Sequence, residues 1–188
     1  MPFFLSARSG SLKTTGRLVL LPGLLMSFLL MAEAAEAVPL EYQIKAAFLF
    51  NFAKFVEWPS QLFPDAQTPM TIGVLGASPF GDVPEVLAQG QTLNGRHFAV
   101  KYSGNIEDLK SCHILFISGS ERASAPQILE ILKGTSILTV SDIDSFTQSG
   151  GIVRFIQKDN KIRFEINQKA AEEARLKISS KLLSLADR

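Results

Sequence analysis

GGIVRFIQKDNKIRFEIN, residues 150–167, decides the fold, because its two halves pair residue by residue. A two-residue turn at Asp159-Asn160 uses two residue types that tolerate the left-handed backbone of a tight hairpin. Lys158 then faces Lys161, Gln157 faces Ile162, Phe155 faces Phe164 and Val153 faces Ile166. The last three pairs share one largely apolar face. The other face sets Ile156 opposite Arg163, Arg154 opposite Glu165 and Ile152 opposite Asn167. Each such cross-strand pair contributes roughly 0.2–1 kcal/mol. A one-residue slip would bury the charges, so the register is well specified.

Upstream, short apolar runs alternate with helical ones. Met70 to Leu75, Phe98 to Tyr102, His113 to Ser118 and Ser136 to Val140 read as strands. Between them come a short helix through Val86-Leu87, a turn at Asn94-Gly95, one helical turn at Ile106 to Lys110, and a helix from Ala125 to Lys133 stopped by Gly134. Strands alternating with helices imply right-handed crossovers and a mainly parallel sheet. The expected fold is a Rossmann-like three-layer α/β sandwich, closed by the antiparallel hairpin and an amphipathic helix over Gln168 to Leu185 (Ala171, Ala174, Ile178, Leu182, Leu185).

Leu40 to Trp58 reads as another helix, with Ile44, Ala47, Phe48, Phe52, Phe55 and Val56 at helical spacing and Pro59 as its stop. Its aromatic density exceeds one core-facing stripe. Phe48, Phe52 and Phe55 are therefore candidates for self-association, as a homodimer. The competing reading buries the helix on two sides within its own domain.

The N-terminus carries Arg8, Lys13 and Arg17, then an apolar run from Leu18 to Met31, then Ala32-Glu33-Ala34 and Ala35-Glu36-Ala37. This is the pattern of a secretory signal peptide over residues 1–37, cleaved near Ala34 or Ala37; the alternative is an uncleaved anchor. No lipobox cysteine follows. The expected organisation is one α/β domain over residues 38–188, exported to the periplasm. Residues 1–37 hold three of the 19 basic and two of the 18 acidic residues, so 16 of each remain. A neutral chain without a basic tract argues against a nucleic-acid partner. Cys112 is the single cysteine, so no intramolecular disulfide forms, and its place before an apolar run favours a buried thiol.

Catalytic signals are weak. GVLGASPFG (73–81) ends the first strand without the G-x-G-x-x-G or P-loop pattern, and its glycines serve a tight corner as readily as a phosphate. His97 and His113 lack ligand spacing, Ser118-Gly-Ser120 lacks a nucleophile elbow, and Asp142 and Asp144 form a lone acidic pair. No enzyme activity, cofactor or metal is expected. Binding remains, and the polar hairpin face (Ile152, Arg154, Ile156, Arg163, Glu165, Asn167) is the candidate partner surface. The competing reading makes it an intradomain ion pair covered by the C-terminal helix.

KAAFLFNFAKFVEWP (45–59), IGVLG (72–76), GGIVRF (150–155), IRFEIN (162–167) and LKISSKLL (176–183) together resemble the YfiR-like family of small periplasmic proteins. The resemblance implies an α/β fold without catalysis. It implies repression of the extracytoplasmic sensor domain of an inner-membrane diguanylate cyclase, restraining cyclic-di-GMP synthesis and biofilm formation. Other members are similar to partners of sensor kinases or outer-membrane receptors, so a small-ligand-binding module reporting to a receptor or kinase is the alternative. Better-studied relatives carry cysteine pairs. With Cys112 alone, an intramolecular redox gate is not expected.

Overall fold

The hairpin forms in the register its residues dictate. In the computed structural model, which describes residues 37–187, β7 (Val153–Lys158) pairs antiparallel with β8 (Lys161–Ile166), setting Phe155 against Phe164 and Arg154 against Glu165. Asp159 and Asn160 take φ of 52° and 55°, the pair of left-handed residues that a two-residue turn of this hand requires.

Five further strands extend the sheet: β2 (Met70–Leu75), β3 (Thr92–Leu93), β4 (Arg96–Ser103), β5 (Ile114–Ile117) and β6 (Leu138–Ser141). Among the described residues the order is β3-β4-β2-β5-β6-β7-β8. Strands β4, β2, β5, β6 and β7 are mutually parallel, and β3 and β8 add antiparallel edges. In chain order the parallel strands read 2-1-3-4-5, the doubly wound arrangement whose switch point lies between β2 and β5.

Strand alternation separates two cores. Ile72, Val74, Ile114, Phe116, Leu138 and Val140 face α1 (Leu40–Phe52) and α2 (Val83–Gly90), while Leu75, Leu115 and Ile117 face α3 (Ala125–Ile131) with Ile143 and Phe146. This is the expected three-layer sandwich. Strands β2 and β5 are buried on both faces, which is why they read as continuous apolar runs.

Two elements depart from expectation. The first helix ends at Phe52, not at Trp58, and Val56–Glu57 is a short strand, β1. The expected closing helix is interrupted: α4 (Gln168–Glu173) stops, Lys177–Ile178 is strand β9, and α5 (Ser180–Leu185) follows. One cause explains both. Val56 pairs with Ile178 and Glu57 with Lys177, and Ser179 N–H donates to Phe55 C=O at 2.9 Å. A pairing across more than a hundred residues thus overrides two local helical patterns. Arg175 at φ 58° and the Leu176 N–H bond to Ala171 C=O terminate α4, and Ser179 Oγ, accepting from Leu182 N–H, starts α5. The buried side of α1 is correspondingly Lys45, Ala46, Leu49, Phe50 and Phe52; Ile44 is exposed, as is Leu185 at the other end of the chain.

The aromatic excess of α1 is spent inside the fold. Phe52 is fully buried, with ring centroids 5.2 Å from Phe164 and 5.9 Å from Phe155, and Phe48 lies 5.6 and 5.9 Å from the same rings. Phe55 is half-buried, with Lys181 Nζ above its ring. Of the Phe48, Phe52 and Phe55 surface expected for self-association, Phe52 is corrected, since it is fully buried against the hairpin of its own chain; Phe48 and Phe55 are half-buried. The signal peptide reading of residues 1–37 falls, apart from Ala37, outside the described residues. Among the described residues no helix is long and apolar enough to cross a membrane.

Candidate functional site

Doubly wound sheets place ligands at the switch point, beyond the strand ends. Here that crevice is filled by the chain itself. Ser118, following β5, donates its hydroxyl to Ala77 C=O at 2.6 Å, and Ser120 Oγ accepts from Ala77 N–H at 3.0 Å. Gly76 turns the corner at φ 85°, and even a methyl group on it would collide with Ser120 and Glu121. Gly73 and Gly76 therefore serve close self-packing, Gly73 against Cys112 and Gly76 against Ser120 and Glu121.

The other weak catalytic signals dissolve similarly. His113 is buried, stacked on Phe63 at 4.5 Å, and its Nδ1 accepts from Thr71 N–H at 3.1 Å. Burial holds its pKa below the ordinary 6.5, despite a Leu62 carbonyl that favours the proton, with Arg96 adding to the depression. The unfolded chain thus takes up a proton on acidification that the folded chain refuses. The stability supplied by neutral His113 is expected to be complete above about pH 6.5 and to fall as the pH drops through the lower folded value. Urea midpoints measured against pH check this. His113→Leu should flatten that dependence while costing roughly 1–3 kcal/mol at neutral pH, the penalty of orphaning Thr71 N–H.

Cys112 is buried beneath Gly73, and burial pushes its thiol up to about 11, only partly offset by Lys101. It is a packing residue. Among the described residues no group of three or more His, Cys, Asp or Glu is placed to hold a metal.

Asp142 and Asp144 diverge. Asp144 makes an exposed pair with Arg122 Nη1 at 2.9 Å. Asp142, beyond β6, reaches α1 instead, where Lys45 Nζ donates to its Oδ2 at 2.7 Å and Tyr42 OH donates to the same oxygen at 3.3 Å. Lys45 also pairs with Glu41, one helical turn back, and stands over the Tyr42 ring at 4.4 Å. Its side chain is 4 % exposed. Burial works against its charge, but the hydrogen bonds and charges of Asp142 and Glu41 outweigh it and raise the pKa above 10.5. Sequence reading missed this cluster; its one available signal was a lysine interrupting an apolar helix. It forms the floor of an open cleft of about 470 Å³, walled by Arg122 and Asp144 on one side and by Arg154 and Ile156 of the hairpin on the other.

The hairpin face divides into two parts. Arg154 Nη2 donates to Glu165 Oε1 at 3.3 Å, and Nε lies 3.2 Å from Oε2 without the alignment for a hydrogen bond. Thr147 Oγ1 reaches Glu165 Oε2 at 3.4 Å. Ile156 is half-exposed and Arg163 is exposed. These four side chains share one surface. Ile152 and Asn167 do not belong to it. Ile152 is buried, its N–H held by Thr139 Oγ1; Asn167 caps α4 through Oδ1 and donates Nδ2 to Thr147 C=O. Both serve the fold, which corrects their assignment to the partner surface. Of the competing reading, the intradomain Arg154–Glu165 pair is present, but the cover by the C-terminal helix is not. Ala171, Leu176 and Leu182 pack into the core with Phe155 and Phe164, on the opposite face of the sheet.

The domain is doubly wound, and its hairpin presents a half-exposed polar face. The family model described as YfiR/HmsC-like matches residues 42–187, and the chain belongs to that family, one known for periplasmic regulators. No curated protein matches the chain.

Proposed function

We propose that this protein is exported to the periplasm and represses an inner-membrane signalling protein, the extracytoplasmic sensor domain of a diguanylate cyclase being its partner. Cyclic-di-GMP synthesis and biofilm formation would then be held low. Family membership supports the regulatory class. The observation that carries a binding role is the patch of Arg154, Ile156, Arg163 and Glu165, displayed on a hairpin whose other face is locked to α1 by four phenylalanine rings. A rigid surface mixing guanidinium, carboxylate and aliphatic groups has the composition of an interface centre and loses little entropy on docking.

Arg163→Glu tests the reading. Arg163 is exposed, so its reversal is expected to change stability by no more than about 0.5 kcal/mol. Loss of a central arginine contact should weaken capture of the sensor domain by roughly 2 kcal/mol or more, and should raise cyclic-di-GMP in cells. Retained capture and retained repression by a folded variant would sink the proposal.

The cleft favours a second reading, a small-ligand module that reports occupancy to a receptor or sensor kinase through Arg154 and Ile156, which line it. It predicts a thermal shift with one class of charged compound, since a ligand at 100 times its dissociation constant stabilises by about 2.7 kcal/mol.

A further inference from the structure

The two edges of the sheet are finished differently. At β8 the chain's own tail arrives, Asp187 N–H donating to Phe164 C=O at 2.8 Å and its carboxylate holding Lys158 Nζ. At the other edge, β3 is two residues long and pairs only with Arg96 and His97 of the eight-residue β4. Gly76 N–H donates to Ser103 C=O at 3.0 Å, which sets the phase of the parallel ladder. Ala99, Lys101 and Ser103 bond towards β2, and the N–H and C=O of Val100 and Tyr102 turn outward. Among the described residues no strand or further backbone bond meets those four groups. The margins of this edge differ in character. On the α2 side, Val100 is half-buried, Tyr102 is 40 % exposed with its hydroxyl donating to Glu85 at 2.9 Å, and Val86, the next residue of α2, is 62 % exposed. On the other side His97 and Lys101 are exposed, and Lys101 Nζ makes one long bond, to Ser111 Oγ at 3.5 Å. Asp108, also on that side, is held by the Ser103 hydroxyl at 2.7 Å.

We infer that this stretch of β4 is a docking edge for an extended segment of another protein, one that alternates apolar and acidic residues. An edge with free N–H and C=O groups is a template for an added strand, whose main-chain bonds give affinity and whose alternate side chains give specificity. The choice of occupant rests on the two margins. Side chains of an added strand point alternately to the two faces of the sheet. Every second residue therefore meets Val86, Val100 and Tyr102, where an apolar group covers exposed apolar surface. The residues between them meet Lys101 and His97, where a carboxylate is favoured across the ladder and a second cation is opposed. Lys101 thus makes the edge selective: it repels basic strands and admits acidic ones. The inference goes beyond sensor repression and does not depend on it, since β4 lies at the far edge of the sheet from the hairpin patch.

Hydrogen exchange on the unaltered chain tests it, with two capped hexapeptides as probes at millimolar concentration, one alternating glutamate with valine and the other lysine with valine. The glutamate peptide is expected to protect the amides of Val100 and Tyr102, whereas those of Ala99 and Lys101, already bonded to β2, stay protected throughout. The lysine peptide should bind about tenfold more weakly, the effect of replacing an opposite charge facing Lys101 by a like one. Lys101→Glu, at an exposed position, should leave the urea midpoint unchanged and reverse the preference between the peptides. A glutamate peptide N-methylated at alternate residues, so that it presents no donor to β4, should lose the protection. Four results overturn the inference: no protection by the glutamate peptide, equal protection by both peptides, a preference that Lys101→Glu leaves in place, or full protection by the N-methylated peptide. Protection of Val100 and Tyr102 that grows with protein concentration in the absence of peptide also overturns it, since the occupant is then a second copy of this chain.

Discussion

Replacing Lys45 with methionine is expected to destabilise the protein by about 3–5 kcal/mol, the range found when one member of a buried ion pair is removed. Lys45 Nζ satisfies Asp142 at 2.7 Å in a setting where the lysine is almost wholly withdrawn from water. Methionine fills a similar volume but supplies no donor, so the Asp142 carboxylate keeps only the long bond from Tyr42 OH. Glu41 is the more exposed partner and can turn to solvent, so most of the cost falls on Asp142. Urea denaturation measures the effect. Lys45→Met combined with Asp142→Leu should recover much of the loss, since an apolar pair leaves no orphaned charge. Because the folded pKa of Lys45 is raised above 10.5, its contribution is complete below that value and is lost only as the pH climbs through the folded value. The difference between parent and Lys45→Met is therefore expected to be flat across the neutral range. A loss below about 1 kcal/mol would mean that the cluster behaves as a hydrated surface pair.

Phe52→Ala is expected to cost about 3–5 kcal/mol, the usual range for truncating a buried phenylalanine. Phe52 is fully buried and sits between Phe48 on its own helix and the cross-strand pair Phe155 and Phe164. Removing it opens a cavity between α1 and the hairpin, and neither rigid element can collapse to fill it. Phe55→Ala, at a half-buried ring outside this cluster, should cost distinctly less, roughly 1–2 kcal/mol from lost burial. Equal losses at the two positions would show that the aromatic clamp does not exist. In Phe52→Ala the β7–β8 amides should also exchange faster than in the parent, since the hairpin loses its backing.

The parts of the fold that were legible in the sequence are those decided within a few residues. Asp159-Asn160 supplies the turn, and alternation on either side of it sets the register from Lys158–Lys161 to Val153–Ile166. The central parallel strands β2, β5 and β6 announced themselves as apolar runs because both of their faces are buried. The ends of α1 and α4 were not legible. Phe55 and Val56 continue the helical spacing of α1, as Ile178 continues that of α4, yet both segments give up helical bonds to pair with each other. Local periodicity records which residues are apolar, and an apolar residue is buried equally well in a helix or in a strand.

The candidate site divides along the same line. Arg154 with Glu165 and Ile156 with Arg163 are consequences of hairpin register, so the sequence by itself determined that they share a face. That no helix covers this face was decided by tertiary structure, through the placing of Ala171, Leu176 and Leu182 on the opposite side of the sheet. The same holds for Lys45 and Asp142, which stand 97 positions apart and meet only because α1 passes over the end of β6. Asp187 reaches Phe164 and Lys158 only because the β1–β9 pairing breaks the closing helix and redirects the chain. Short-range register follows from backbone geometry and side-chain alternation, which a sequence carries explicitly. Long-range juxtaposition follows from how the layers pack, and no local pattern encodes it.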